Sequence, residues 1–119
     1  MPSDCPEDLG ERTFRFASDV YDYTLDLVRL GGLPRRVGYQ LFDAAGSVGS
    51  NRQEAMAAYS RKEFAAKNSI SLRECREAKF WLRLADAKQL GHAGRRQKLL
   101  READELVAIL TKTVKRLQT

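Results

Sequence analysis

Two short polar stripes interrupt otherwise apolar helical patterns in this chain: Gln40, Ser47, Asn51 and Glu54 within "QLFDAAGSVGSNRQE", and Asn68, Ser71 and Glu74 within "NSISLRE". At 100° per residue the first set spans about 60° of arc, at the edge of an apolar helix face. If the two stripes face each other, Glu54 and Glu74 raise two chemistries. One is metal binding by bundle carboxylates. That arrangement needs Glu-x-x-His pairs, and the only histidine, His92, lies in a loop. The other is general acid–base work, for which no nucleophile or glycine-rich anion cradle stands nearby. What is left is an inter-helix hydrogen-bond network that sets register, as a buried asparagine does in coiled coils. The stripes are therefore expected to be a buried polar network, with no catalytic residue, no metal and no cofactor.

The elements that carry these stripes are helices. Glycine and proline cluster at Pro2 and Pro6, at Gly31-Gly32-Leu33-Pro34 and at Gly91-His92-Ala93-Gly94, which marks breaks. A further break falls at Tyr59-Ser60, where Ser60 and Glu63 form a capping box. Helices are expected over about residues 12–30, 35–58, 61–89 and 95–117, after an acidic tail at 1–11. Each carries a 3,4-spaced stripe: Phe16, Val20, Tyr23, Leu27 and Leu30; Val37, Leu41, Ala44, Val48, Asn51 and Ala55; Phe64, Asn68, Ser71, Cys75, Ala78, Leu82 and Ala85; Leu99, Ala103, Leu106, Leu110, Thr113 and Leu117. No window alternates as a strand should. The pattern predicts an all-α, antiparallel up-down-up-down four-helix bundle in one domain. A single coiled-coil hairpin fits less well, because the first helix is as apolar as the rest and needs a partner.

Composition narrows the function classes. The chain has 119 residues, a net charge of +5 and a pI near 9.5, which permits nucleic-acid or acidic partners. Its apolar runs are too short for a membrane span, and its first residues are acidic, so a cytoplasmic location and no membrane partner are expected. Cys5 and Cys75 are too far apart in sequence to suggest a disulfide or metal site, and Cys75 reads as a small buried apolar residue.

Two surfaces remain. Up-down connectivity places the first and third loops at one end, where Arg29, Arg35 and Arg36 meet Lys88, Arg95, Arg96 and Lys98, with His92 between them and Asp86 opposing. Arg35, Arg36, Arg95 and Arg96 lie near helix N-termini, where cations oppose the dipole. These residues are candidates for RNA or DNA phosphates, against the plainer reading of solvated helix ends. The acidic residues Asp4, Glu7, Asp8 and Glu11 fall at the other end, partly offset by Lys112, Lys115 and Arg116. The second surface is apolar: Gly38 and Gly49 share a strip of the second helix with Phe42 nearby, and Ile70, Phe80 and Leu84 form a second stripe on the third, with Trp81 to one side. A helix apolar on two faces points to homo-oligomerisation, with these residues at the interface. The alternative is a docking face for a protein partner without nucleic-acid binding.

The stretch "QLFDAAGSVGSNRQEAMAAYSRKEFAAKNSISLRECREAKFWLRLA", residues 40–85, resembles the bacterial four helix bundle family, also called the 23S ribosomal RNA intervening-sequence protein family. Gln40-Leu41, Ala45, Ser47-Val48, Asn51, Glu54-Ala55, Ser60 to Phe64, Lys67, Ile70, Leu72, Glu74 and Phe80-Trp81-Leu82 carry the likeness. With Phe16-Ala17, Val20-Tyr21 and Pro34 it covers about residues 12–90; the fourth helix matches in pattern only. The resemblance implies a left-handed up-down bundle, a homopentameric ring and no established function. A related branch, the accessory variability proteins of diversity-generating retroelements, forms basic pentamers that bind nucleic acid and a reverse transcriptase. This chain departs from that branch at Arg52-Gln53 and lacks its Gly-Trp ending, so the general family reading is the one implied.

Overall fold

The computed structural model describes residues 8–118. Among them every regular element is an α-helix and none is a strand: α1 (Asp8–Leu30), α2 (Gly32–Met56), α3 (Arg61–Ala87) and α4 (Ala93–Leu117). α1 begins earlier than the sequence pattern suggests because Leu9, 7% exposed, packs into the core and carries the first turn with it. Residues 8–11, expected in the tail, are therefore helical, whereas Asp4, Cys5 and Glu7 lie outside the described residues.

Each joint has its own cause. Gly31 alone separates α1 from α2. Gly31 and Gly32 hold φ of +68° and +56°, a region that L side chains rarely adopt. α2 consequently starts at Gly32 rather than at 35, and Pro34 sits in its first turn, where a missing N–H costs nothing. Before α3, Ser60 Oγ accepts from the Glu63 amide at 3.1 Å, while the Glu63 carboxylate accepts from the Tyr59 amide at 3.2 Å. This is the predicted capping box with its return bond shifted one residue upstream. Before α4 the chain turns through Gln89 and Gly91, both at positive φ. His92 then caps the helix, its Nδ1 accepting from the Arg95 amide at 3.1 Å.

The predicted stripes form the core. Phe16, Val20, Tyr23 and Leu27 of α1 meet Leu41, Ala44 and Val48 of α2, Cys75, Ala78, Leu82 and Ala85 of α3, and Leu99, Ala103, Leu106 and Leu110 of α4, all buried. Each fully buried leucine contributes about 2 kcal/mol by leaving water. Val114 takes the buried place expected of Thr113, and Leu30 is exposed beside the Gly31 joint.

Neighbouring helices pair with residue numbers running in opposite senses. A Cβ at Gly38 would lie 3.1 Å from Leu27 Cβ, and one at Gly49 would lie 3.4 Å from the Thr13 carbonyl oxygen, so α1 and α2 approach at two glycines. On α3, Ser71 donates to the Val48 carbonyl at 2.7 Å. Lys79 pairs with Asp104 across α3 and α4 at 2.8 Å. α1 and α4 touch least. Arg12 bridges them, donating to Glu102 from Nε at 2.7 Å and to Glu105 from Nη2 at 2.8 Å. Its hydrogen bond to Glu102 raises the Arg12 pKa above the ordinary value.

Candidate nucleic-acid interface

The Gly31 and Gly91 joints lie at the same end of the bundle, since a side chain at Gly91 would come within 2.9 Å of Tyr23 and 3.0 Å of Leu27 on α1. The Leu90 carbonyl accepts from Tyr23 Oη at 2.6 Å and from Arg96 Nη1 at 2.6 Å. Arg96 also donates from Nη1 to the Gly91 carbonyl at 3.2 Å and from Nε to Asp86 at 2.8 Å. Gln97 adds a bond to Asp86 at 2.7 Å. Burial works against the Arg96 charge, but hydrogen bonds to Asp86 and Tyr23 outweigh it and raise its pKa. Burial likewise raises the Tyr23 pKa, so its hydroxyl stays protonated and donating.

This geometry corrects one candidate. Arg96 is 5% exposed, and its Nε and Nη1 are occupied by Asp86 and by the Leu90 and Gly91 carbonyls, so it ties α3, the loop and α4 together instead of presenting its charge to solvent as expected. The other candidates, Arg29, Arg35, Arg36, Lys88, Arg95 and Lys98, are exposed. Asp26, which the sequence reading overlooked, approaches Arg29 at 3.6 Å and Arg95 at 3.8 Å. Arg35 donates to the Val28 carbonyl at 3.2 Å, near the C-terminus of α1, where a cation favours the dipole. Among the described residues no carboxylate lies within ion-pair distance of Arg35, Arg36, Lys88 or Lys98. Cations are not confined to this end, because Arg61 and Lys62 are exposed at the start of α3.

The polar seam is built differently from the expected network. Asn51 is only half-buried and stays on its own helix, its Nδ2 donating to the Ser47 carbonyl at 2.9 Å and to Ser47 Oγ at 3.0 Å. Gln40 and Glu54 are exposed, and Glu74 is half-buried. Besides the Ser71 bond to the Val48 carbonyl, the seam is crossed by the next residue: Arg52, 8% exposed, donates from Nη1 to Asn68 Oδ1 at 2.7 Å and lies over the Phe64 ring at 5.8 Å. Asn68 in turn donates to the Phe64 carbonyl at 2.9 Å. Burial lowers the Arg52 pKa, and among the described residues its Nε has no hydrogen-bond partner. Asn68 and Ser71 thus sit in the seam as expected, while Arg52 replaces Asn51 as the partner of Asn68 and Ser71 bonds the Val48 carbonyl. The available signal was the seam's end: a long cation can reach across where the core meets solvent.

Cys75 is buried among apolar neighbours, and burial pushes its thiol up to about 12, which makes it inert as a nucleophile at neutral pH. Among the described residues no three His, Cys, Asp or Glu side chains converge as a metal site would need.

The oligomer candidates divide. Gly38 and Gly49 face α1 within the same chain, where their absent side chains permit the close α1–α2 approach; Gly38 is buried there, while half-buried Gly49 also lines a surface groove. Phe42 stacks edge-to-face with Tyr21, ring centroids 5.8 Å apart. Ile70 is half-buried, and Phe80 is 54% exposed, edge-to-face with Trp81 at 5.0 Å. Leu84 and Trp81 line a groove of about 790 Å³ between the start of α2 and the end of α3.

The family model for the 23S rRNA-intervening sequence protein matches residues 8–112. No protein of curated function matches the chain. Among solved structures, the chain is similar to a protein of unknown function from the S23 ribosomal protein family of Bacteroides thetaiotaomicron, with a TM-score of 0.81 and 23% identity, over 90% of this chain and 98% of that one. At that identity the likeness speaks to the fold.

Proposed function

Because the chain belongs to the 23S rRNA-intervening sequence protein family, we propose that it acts as a non-catalytic, homo-oligomeric four-helix bundle, a ring of five copies, that binds RNA or DNA through its basic end. The observation that carries this reading is the group of Arg35, Arg36, Lys88 and Lys98, exposed around the Gly31 and Gly91 joints and lacking carboxylate partners among the described residues. Cations without carboxylate partners can neutralise phosphates and so release the counterions condensed on the nucleic acid, the main source of non-specific affinity. Repeated around a ring, the same group becomes a continuous basic collar. No described helix is long and apolar enough to cross a membrane, and we assign the protein to the cytoplasm.

Gel shift and light scattering test this reading. At low salt the protein retards RNA or DNA, and affinity falls steeply with salt, by close to one power of salt concentration per phosphate contact. Arg36→Glu with Lys88→Glu and Lys98→Glu removes retention, while Arg61→Glu with Lys62→Glu, at the other end, does not. Absence of retention at low salt overturns the reading. Scattering is expected at five times 13.5 kDa, and a stable monomer at micromolar concentration removes the ring. The exposed Phe80 favours a second reading, a face that docks a protein; it gains ground if the protein captures a protein partner but no nucleic acid.

A further inference from the structure

Trp81 is the sole tryptophan in the sequence, and it stands in the groove between the start of α2 and the end of α3. Val37, Leu84 and Leu90 make the groove's other walls apolar, and Arg36 and Lys88 line it as well. No acidic side chain is among the described residues that line it. The indole Nε1 donates to Glu77 at 3.2 Å, and the Phe80 and Trp81 rings lie T-shaped, 79° apart with centroids at 5.0 Å.

We propose that this groove receives one unstacked base of a single-stranded nucleic acid, with the base against Trp81 and the neighbouring phosphates on Arg36 and Lys88. The inference rests on the nucleic-acid reading above, narrows it to a class, single strands in preference to duplexes, and leaves Trp81 and Leu84 outside the contact between copies. Three features select that ligand. The paired cations, without acids beside them, select an anion. The fixed aromatic wall selects a flat partner, since every base offers a π-face and stacks with little regard to sequence. The concave shape selects an extruded base, because bases inside a duplex are stacked on both faces and cannot enter. The groove is open to solvent along one side, with a volume of about 790 Å³. Gln40, exposed at the groove, adds an amide for a base edge.

Because tryptophan occurs once, its fluorescence reports on this groove alone. The full chain is titrated at low salt with oligo(dT), oligo(A) and a duplex of equal length. Both single strands are expected to quench Trp81 emission, while the duplex leaves it unchanged. Trp81→Leu is expected to lower single-strand affinity about tenfold, the loss of one stacked base, when followed by anisotropy of a labelled strand, and to leave duplex affinity alone. If single strands bind without quenching, or Trp81→Leu binds as the wild type does, the groove proposal fails while the basic-end reading survives. If neither form binds, both fail. Quenching by a peptide rich in Glu and Leu, with none by either single strand, makes the groove a protein-docking site and also overturns the proposal. Should Trp81→Leu not fold, the quenching of the wild-type protein decides alone.

Discussion

Arg52 Nη1 and Asn68 Oδ1 meet at 2.7 Å inside the bundle, so the side-chain pair that joins α2 to α3 links a cation to a neutral amide. A buried guanidinium without a carboxylate retains much of its desolvation cost, and the lowered pKa of Arg52 is the mark of that cost.

The two partners should therefore respond unequally to substitution. Asn68→Ala strands Arg52 and is expected to lower stability by about 2 kcal/mol. Arg52→Met, similar in length and apolar, removes the buried charge but leaves Asn68 Oδ1 without its donor, so the two effects offset and stability should stay within about 1 kcal/mol of the wild type. Urea denaturation of both variants checks the asymmetry. A larger loss for Arg52→Met than for Asn68→Ala contradicts it.

Glycines of α2 should also separate by their surroundings. Alanine in place of mid-helix glycine gains up to about 1 kcal/mol of propensity. At Gly46, where a new Cβ meets nothing within 4 Å, that gain should appear in full. At Gly38 a Cβ would press on Leu27 Cβ at 3.1 Å and Thr24 Cγ2 at 3.3 Å, and overpacking of this kind costs about 1 to 3 kcal/mol. Thermal melts are expected to move up for Gly46→Ala and down for Gly38→Ala.

Arg96 and Arg36 should fail in different assays. Arg96→Ala breaks bonds to Asp86, Leu90 and Gly91, leaving Asp86 with Gln97 alone, the Leu90 carbonyl with Tyr23 alone and the Gly91 carbonyl without its donor. The expected loss is about 3 kcal/mol of stability. Arg36→Ala, at an exposed site, should melt normally and weaken nucleic-acid binding alone. Paired denaturation and gel-shift measurements on the two variants distinguish structural from binding cations.

Cys75 makes stability depend on alkaline pH. Its thiol pKa is raised from 9.0 to about 12 in the fold, so below pH 9 the thiol is neutral in both states and its contribution is complete. Above pH 9 the unfolded chain loses the proton first, and the contribution falls away until the folded pKa near 12 is passed. The stability difference between the wild type and Cys75→Ala should shrink across that window in urea titrations. A constant difference from pH 8 to 11 would show that the buried thiol ionises normally.

What the sequence made legible follows from periodicity. The apolar stripes and the Ser60 capping box depend on local spacing, and both appear in the fold where spacing puts them. Polar identity was harder to read. Asn51 and Arg52 are adjacent and both polar, and helical geometry alone leaves open which one turns inward; the longer side chain at the end of the seam does, because it reaches Asn68 and covers the Phe64 ring. Arg96 misled for a related reason. Its place near a helix N-terminus suggested an outside anion, whereas Asp86 lies on the preceding helix and three acceptors converge on it only after the chain has turned. Gly38 and Gly49 share a strip that spacing alone assigns to a contact between copies, but the helix they admit is α1 of the same chain. Long-range closure, not local pattern, decided each of these.

The Leu90 carbonyl, held by Tyr23 and Arg96 together, sets the mechanical character of the end that bears the exposed cations. A turn clamped from two helices has little motion left to surrender when a ligand arrives. Association there should carry a small entropic penalty and proceed without rearrangement, much as a rigid die meets its imprint.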